Sequence, residues 1–379
     1  VRKEKINCKY CGSGNVVKKG KRKTKLALKQ IYKCKDCGKK FISEQWNKTY
    51  PVKVVMQAVS RYNLGYSLEK TSRLVSKNYK VKVSPKTIHS WIKEFKKICS
   101  YDRIRKKSIS LFKPDKVILK KVFEHQQPYK FQYHKAKAEF FINEYFSGLR
   151  GYLENIVEDC PDGLFNNSSR GSAVELADVD FGKVGIGKRE NYACKLAKLS
   201  LGMADDKRKR HDILQSFMLI NDSCTVACEV PVYLLPDEIK HCRFINKESS
   251  KKRGSLTNRN NELRNTITGH IDLVQLKFGL IYVLDFKPDA SKEKSEKVMS
   301  QLFIYAFALS KRTGIWLRNF RCAWFDNNWY YEFNPNEIIL AADPKMPLWR
   351  KKEFLSDDKA RRYFTSKEFQ QQKKEVKCR

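Results

Sequence analysis

The sequence predicts a multidomain chain of α+β or α/β class: a small cysteine-clasped module, a three-helix unit, and a larger mixed sheet flanked by helices. Three observations carry this. Two C-x2-C pairs stand within the first 37 residues. Between residues 51 and 95, apolar positions recur at helical spacing behind Ser and Pro start signals. Residues 269–309 alternate like two paired strands and then turn helical.

Length and composition set the bounds. With 379 residues, 41% hydrophobic and 12% aromatic, the chain has room for two or three domains with a sizeable core. The net charge is +37, and its placement is uneven: residues 1–130 hold 36 basic against 8 acidic side chains, a net of +28. Such a front end suits a polyanion, and DNA is the expected partner. No apolar run is long enough to span a bilayer, and Val1-Arg2-Lys3-Glu4-Lys5 lacks the apolar centre of a signal peptide. The expectation is therefore a cytoplasmic protein with no membrane partner.

The first element is Cys8-Lys9-Tyr10-Cys11 with Cys34-Lys35-Asp36-Cys37, separated by 22 residues. Four thiolates in two close pairs suit a tetrahedral, structural Zn²⁺, and Gly12 and Gly38 supply the turn after each pair. A zinc ribbon is expected over 1–47. Its basic hairpin offers Lys21, Arg22 and Lys23 to phosphates.

Residues 48–99 read as a helix-turn-helix unit. Pro51 opens a first helix, Ser67 caps a second, and Ser84-Pro85 starts a third. On the third, Ile88, Trp91, Ile92 and Phe95 are expected to pack inward. Lys86, Thr87, His89 and Ser90 then form the outward N-terminal turn, from which base edges would be contacted. Residues 100–130 are basic and weakly patterned, and read as a linker. The larger domain is expected over 131–345 and a basic tail over 346–379. Within the larger domain a basic excursion, with Lys251, Lys252, Arg253 and Arg259, is a candidate phosphate contact.

In the larger domain, Ala227–Leu234 reads as a strand that Pro231 assigns to an edge or a bulge. Next come Gly269-His270-Ile271-Asp272 on a strand, a Lys277-Phe278-Gly279 turn, and a strand ending Asp285-Phe286-Lys287. A period of two puts Asp285 and Lys287 on one face, and the hairpin can bring Asp272 beside them. Two carboxylates and a lysine at a sheet end are what metal-assisted phosphodiester hydrolysis needs. A helix follows with Gln301 and Tyr305 one turn apart.

These segments, G-x-x-D, D-x-K and Q-x-x-x-Y in order, resemble the PD-(D/E)xK nuclease superfamily, most closely its RecB-like branch. The resemblance implies a restriction-endonuclease-like sheet and a Mg²⁺- or Mn²⁺-dependent DNA nuclease. Asp272 and Asp285 would be metal ligands, Lys287 the charge stabiliser, Gln301 and Tyr305 positioning groups, and Glu229 of an E-x-P-V strand a neighbour of the site. The branch's upstream histidine ligand has no clear counterpart. Glu175 in Gly171-Ser172-Ala173-Val174-Glu175 stands at that spacing, with Glu190 and His211 as rivals. An iron–sulfur cluster is not implied, because only Cys322 and Cys378 follow the motifs.

Residues 8–97 are similar to the N-terminal region of archaeal insertion-sequence transposases, on Gly65-Tyr66-Ser67-Leu68-Glu69-Lys70 and Ser84–Ile92 besides the cysteines. Together the two resemblances imply a nuclease of a mobile element. A homodimer or other mobile-element proteins are possible partners. The alternatives are a transposase or end-cleaving transposition protein, and a DNA-binding regulator whose nuclease-like domain is inactive.

Overall fold

The computed structural model of the chain describes residues 6–8, 10–23, 28–42, 49–99, 101–142, 144–204, 206–239, 244–245 and 266–342. The expected excursion at 251–261 and the tail 346–379 lie outside the described residues, as does the side chain of Lys23. Described residues form an α+β structure with a small three-stranded sheet and a larger mixed sheet flanked by helices.

The small sheet is antiparallel: β1 (Val16–Lys23), β2 (Leu28–Cys34) and β3 (Lys40–Ile42). Its core is separate and tiny, made of Cys8, Tyr32, Cys34 and Phe41, with the two rings stacked at 6.0 Å. So little apolar area is marginal for a fold by itself, and the four cysteines stand together at its end.

Three helices follow: α1 (Val52–Asn63), α2 (Leu68–Tyr79) and α3 (Pro85–Phe95). The cap signals act as read. Ser67 Oγ accepts from the Lys70 amide, and Ser84 Oγ accepts from the Thr87 amide, each at 3.1 Å. Ile88, Trp91, Ile92 and Phe95 are all buried.

The stretch 100–130 is not a linker. It carries α4 (Asp102–Leu111) and β4 (Ile118–His125), and β4 turns at Gln126 (φ +61) into β5 (Gln127–His134). On α4, Arg105 donates to the carbonyls of Tyr62, Gly65 and Tyr66 at 2.8–3.1 Å, tying α4 to the end of α1 and the turn after it. Lys120, Lys121 and Glu124 are exposed while Phe123 and His125 are buried, so an exposed Lys121 on the face of Phe123 and His125 breaks the strand alternation. The larger domain therefore begins near residue 118.

After β5 come α5 (Lys135–Phe141), α6 (Ser147–Asp159), α7 (Asp162–Asn167), β6 (Ser169–Arg170), β7 (Gly187–Arg189), α8 (Tyr192–Leu201) and α9 (Arg210–Asn221). Then follow β8 (Thr225–Leu234), α10 (Pro236–Ile239), β9 (Ile267–Lys277), β10 (Leu280–Phe286), α11 (Ser295–Thr313), β11 (Phe320–Phe325), β12 (Tyr330–Phe333) and α12 (Pro335–Ala342). The sheet order is β4-β5-β8-β9-β10-β11-β12-β7, with β6 beside β9. The β10–β11 and β6–β9 pairs are parallel and the others antiparallel.

β8 lies inside this sheet, but Pro231 is past the end of its β5 partner, so its side away from β9 is an open edge. Pro231 faces His270 of β9, while β5 reaches β8 only at Ala227 and Cys228, so the missing N–H costs no ladder bond on that side. Ile281 and Val283 of β10 face a core shared with α6 and α11. Tyr282, Leu284 and Phe286 face one shared with α1, α3, α8 and α9. The three-helix unit is thus no tethered domain. Asn63 of α1 donates to Asn221 of α9 at 2.9 Å, and Asn221 donates to Ser60 at 2.8 Å, all three buried. Among the described residues no helix is long and apolar enough to cross a membrane.

Candidate active site

Three adjacent strands place three carboxylates in a row. The β9–β10 ladder runs to Leu273 opposite Leu284, so Asp272 and Asp285 are the next residues along. On the other side, Cys228 faces Leu273 and Val230 faces Ile271, which sets Glu229 beside Asp272. Glu229 has φ +50, a break in the strand that takes it out of the regular ladder. Neighbouring strands lie about 4.8 Å apart, so the row concentrates negative charge.

Each acid has a distinct setting. Asp272 Oδ2 accepts from the Phe286 amide at 2.9 Å and lies 3.0 Å from His211 Nε2, on the first turn of α9. Burial would raise its pKa, but His211, that amide and Lys287 hold it below the usual carboxylate range. Burial works against charge on His211 too. The Asp272 hydrogen bond outweighs it and raises the imidazole pKa. Asp285 is 5% exposed, and burial, reinforced by the Asp272 charge, pushes its carboxyl up to about 7. Lys287 Nζ lies 2.7 Å from Asp285 Oδ2, an ion pair out of hydrogen-bond alignment, and that oxygen accepts no hydrogen bond. Burial and then the Asp272 charge push Glu229 up to about 8, with Gln215 donating to it at 2.6 Å.

The row opens into a cleft of about 560 Å³ lined by Glu229, Asp272, Lys287, His211, Gln301 and Tyr305. Tyr129 and His270 also line it, stacked at 3.5 Å between ring centroids. Gln301 and Tyr305 come from α11, and burial pushes the Tyr305 hydroxyl well up. A Cβ on Gly171 would stand 2.7 Å from the Tyr305 ring, so this glycine makes room for Tyr305.

Glu175 does not take part. Gly171–Ala173 is a short 3-10 turn, after which the backbone extends, so Glu175 lies exposed and outside the cleft. His211, not Glu175, stands beside Asp272. Glu190 is likewise exposed and absent from the cleft lining. His125 and His270 were not anticipated. Their rings meet at 2.9 Å across 145 residues of sequence, a separation that no local pattern encodes.

Among the described residues, the groups whose ligand atoms lie within 4.8 Å of one another are the four cysteines and His125, Cys160 and Asp162, not the carboxylate row. The row sets Glu229, Asp272 and Asp285 beside His211 and Lys287, with the Lys287 ammonium on the buried Asp285 oxygen. At the small sheet, Cys8 and Cys37 sulfurs are 3.5 Å apart, Cys11 and Cys34 3.6 Å, and all four lie within 4.8 Å of one another. Zinc–sulfur bonds of about 2.3 Å give a tetrahedron edge of about 3.8 Å, so four thiols so placed can hold a metal ion. Lys21 and Arg22 stand exposed on β1; Lys86, His89 and Ser90 are exposed on α3, and Thr87 is half-buried.

A second groove, about 680 Å³, adjoins the cleft and shares Lys130 and Asp212 with it. Its basic lining is Lys53 and Arg61 of α1, Lys120 and Lys121 of β4, Lys130 of β5, and Lys209. Compared with protein-family models, curated proteins and solved structures, the chain matches none.

Proposed function

We propose that this chain is a DNA-targeted, divalent-cation-dependent nuclease of PD-(D/E)xK type, with the character of a mobile-element enzyme. The observation that carries the reading is the row Glu229–Asp272–Asp285 with Lys287 paired to its last member. Asp272 and Asp285 would hold Mg²⁺ or Mn²⁺, with His211 and Glu229 as neighbouring donors. Bound there, the ion supplies a Lewis acid that activates water and neutralises charge on the phosphate. Lys287 offers an ammonium for the developing charge and Asp285 keeps it oriented. Gln301 and Tyr305 would position the strand. The groove from α1 past β4 gives the phosphodiester backbone a basic path to the cleft. The four-cysteine module would carry structural Zn²⁺, and α1–α3 would serve as the helix-turn-helix.

The test is cleavage of plasmid and linear DNA by the full chain in Mg²⁺ or Mn²⁺, against Asp285→Asn and Lys287→Met. Cleavage should vanish in both variants while DNA binding persists. Undiminished cutting by folded Asp285→Asn would refute the assignment.

A further inference from the structure

A second group of metal-ligating side chains converges at the edge of the cleft, on residues that the nuclease reading does not use. Nε2 of His125 on β4, Sγ of Cys160 after α6, and a carboxylate oxygen of Asp162 at the start of α7 lie within 4.8 Å of one another. Asp162 Oδ1 is 2.7 Å from Nε2, and Cys160 Sγ is 3.9 Å from it. His125 is 2% exposed and stacked on Phe165 at 4.0 Å, so its ring direction is fixed. The Asp162 side chain is 61% exposed, which leaves the cluster open to water on one side.

We propose that His125, Cys160 and Asp162 bind a divalent transition ion of the zinc class, with the fourth position left to water. The donors decide the class: an imidazole and a thiolate beside one carboxylate favour Zn²⁺ or Co²⁺ over Mg²⁺ or Ca²⁺. The spacing is close to what the ion needs. Bonds of about 2.0–2.3 Å at tetrahedral angles separate donors by about 3.3–3.7 Å. The sulfur–nitrogen pair is near that already, and the exposed Asp162 can swing outward to open its shorter separation.

The neighbour of His125 matches as well. Its Nδ1 is 2.9 Å from Nε2 of His270. Coordination through Nε2 places the ring proton on Nδ1, where it donates to His270, the outer-sphere partner that a ligating histidine ordinarily has. Without the ion, Nε2–H of His125 donates to Asp162 and its Nδ1 accepts from His270. Metal binding therefore switches the tautomer of His125. It also ties β4 and the α6–α7 turn to β9, two residues from Asp272, bracing the wall that Tyr129 and His270 form. This site stands whether or not the cleft cuts DNA.

The full chain, Asp162→Asn and Cys160→Ser are dialysed against Zn²⁺, and bound metal is measured by mass spectrometry. Each variant should hold one ion fewer than wild type; Asp162 is exposed, so its variant keeps the fold. With Co²⁺, the variants should lose the part of the thiolate charge-transfer band due to Cys160 and keep that of the four-cysteine cluster. Nitrogen-15 shifts of His125 should move its proton from Nε2 to Nδ1 on Zn²⁺ addition. Equal metal content in all three proteins, or His125 still protonated at Nε2 in excess Zn²⁺, would overturn the proposal.

Discussion

A Cβ built on Gly269 would stand 2.2 Å from Cε1 of Tyr305, a contact no side chain can accept. The glycine that opens G-x-x-D thus lets an α11 side chain lie directly on β9, three residues before Asp272. Gly269→Ala should push Tyr305 away and destabilise the fold by about 1–3 kcal/mol, the range for overpacking. In a Tyr305→Ala background the same change should cost far less. Urea denaturation of the four proteins of the cycle measures that coupling, and additive effects would remove the contact from the explanation.

The carboxylate row makes stability depend on pH with a definite sign. Asp285 has its pKa raised to about 7 in the fold, and Glu229 to about 8. Unfolded, both fall near 4. Their contribution is therefore fully present below about pH 4 and is lost as pH rises through 7 and 8. Metal-free protein should show a melting temperature that falls between pH 6 and about 8.5. Added Mg²⁺ should restore more of it at the alkaline end, and Asp285→Asn should flatten the profile. A metal-free melting temperature that climbs over this range would contradict the geometry.

Substrate binding should depend on the groove. Lys120 and Lys121 of β4 both line it, away from the carboxylates. Changing both to Gln should raise KM for DNA and leave kcat nearly unchanged. The slope of log affinity against log salt should shrink by about 0.9 for each phosphate that is no longer neutralised. An unchanged slope would place the DNA elsewhere.

A buried ion pair holds the sheet to α5 and α9. Lys137 and Asp222 are both fully buried with 3.3 Å between them, and Lys137 also donates to the carbonyls of Leu219 and Thr225 at 2.5 and 3.1 Å. Removing one partner strands the other's charge, so Lys137→Met should cost about 3–5 kcal/mol. Asp222 keeps the amides of Cys224 and Thr225, which sets the lower end of that range. A loss under about 1 kcal/mol in urea would mean that the pair contributes little.

What the sequence disclosed follows from the range of the interactions involved. The β9–β10 hairpin and the Gln301–Tyr305 turn are local: alternation and i,i+4 spacing bring Asp272, Asp285 and Lys287 together from one contiguous stretch. Ser67 and Ser84 announce their helices for the same reason. His211 stayed one of three candidates because nothing near it marks a partner 61 residues away. Glu175 was favoured on spacing from Gly171, yet that glycine accommodates the Tyr305 ring and the chain extends past it. The hairpin of β4 and β5 was hidden by Lys120, Lys121 and Lys130, whose charge belongs to the groove and not to a linker.

The last prediction concerns where the chain can be cut. The cysteine module has its own small core, whereas α1–α3 share theirs with α8, α9 and one face of the sheet. Deleting residues 1–47 should therefore leave a cooperatively folding protein with the carboxylate cleft intact and weaker DNA binding. Cutting at residue 131 instead removes β4, half of β5, the Arg105 hydrogen bonds to α1, and the Asn63–Asn221 pair. That fragment exposes the apolar surface of Leu214, Phe217 and Met218, which α1 and its neighbours cover. It should aggregate or unfold without a sharp transition. Calorimetry and size-exclusion chromatography on both truncations decide the matter. A folded, monomeric fragment starting at residue 131 would show that the three helices are an attached module after all.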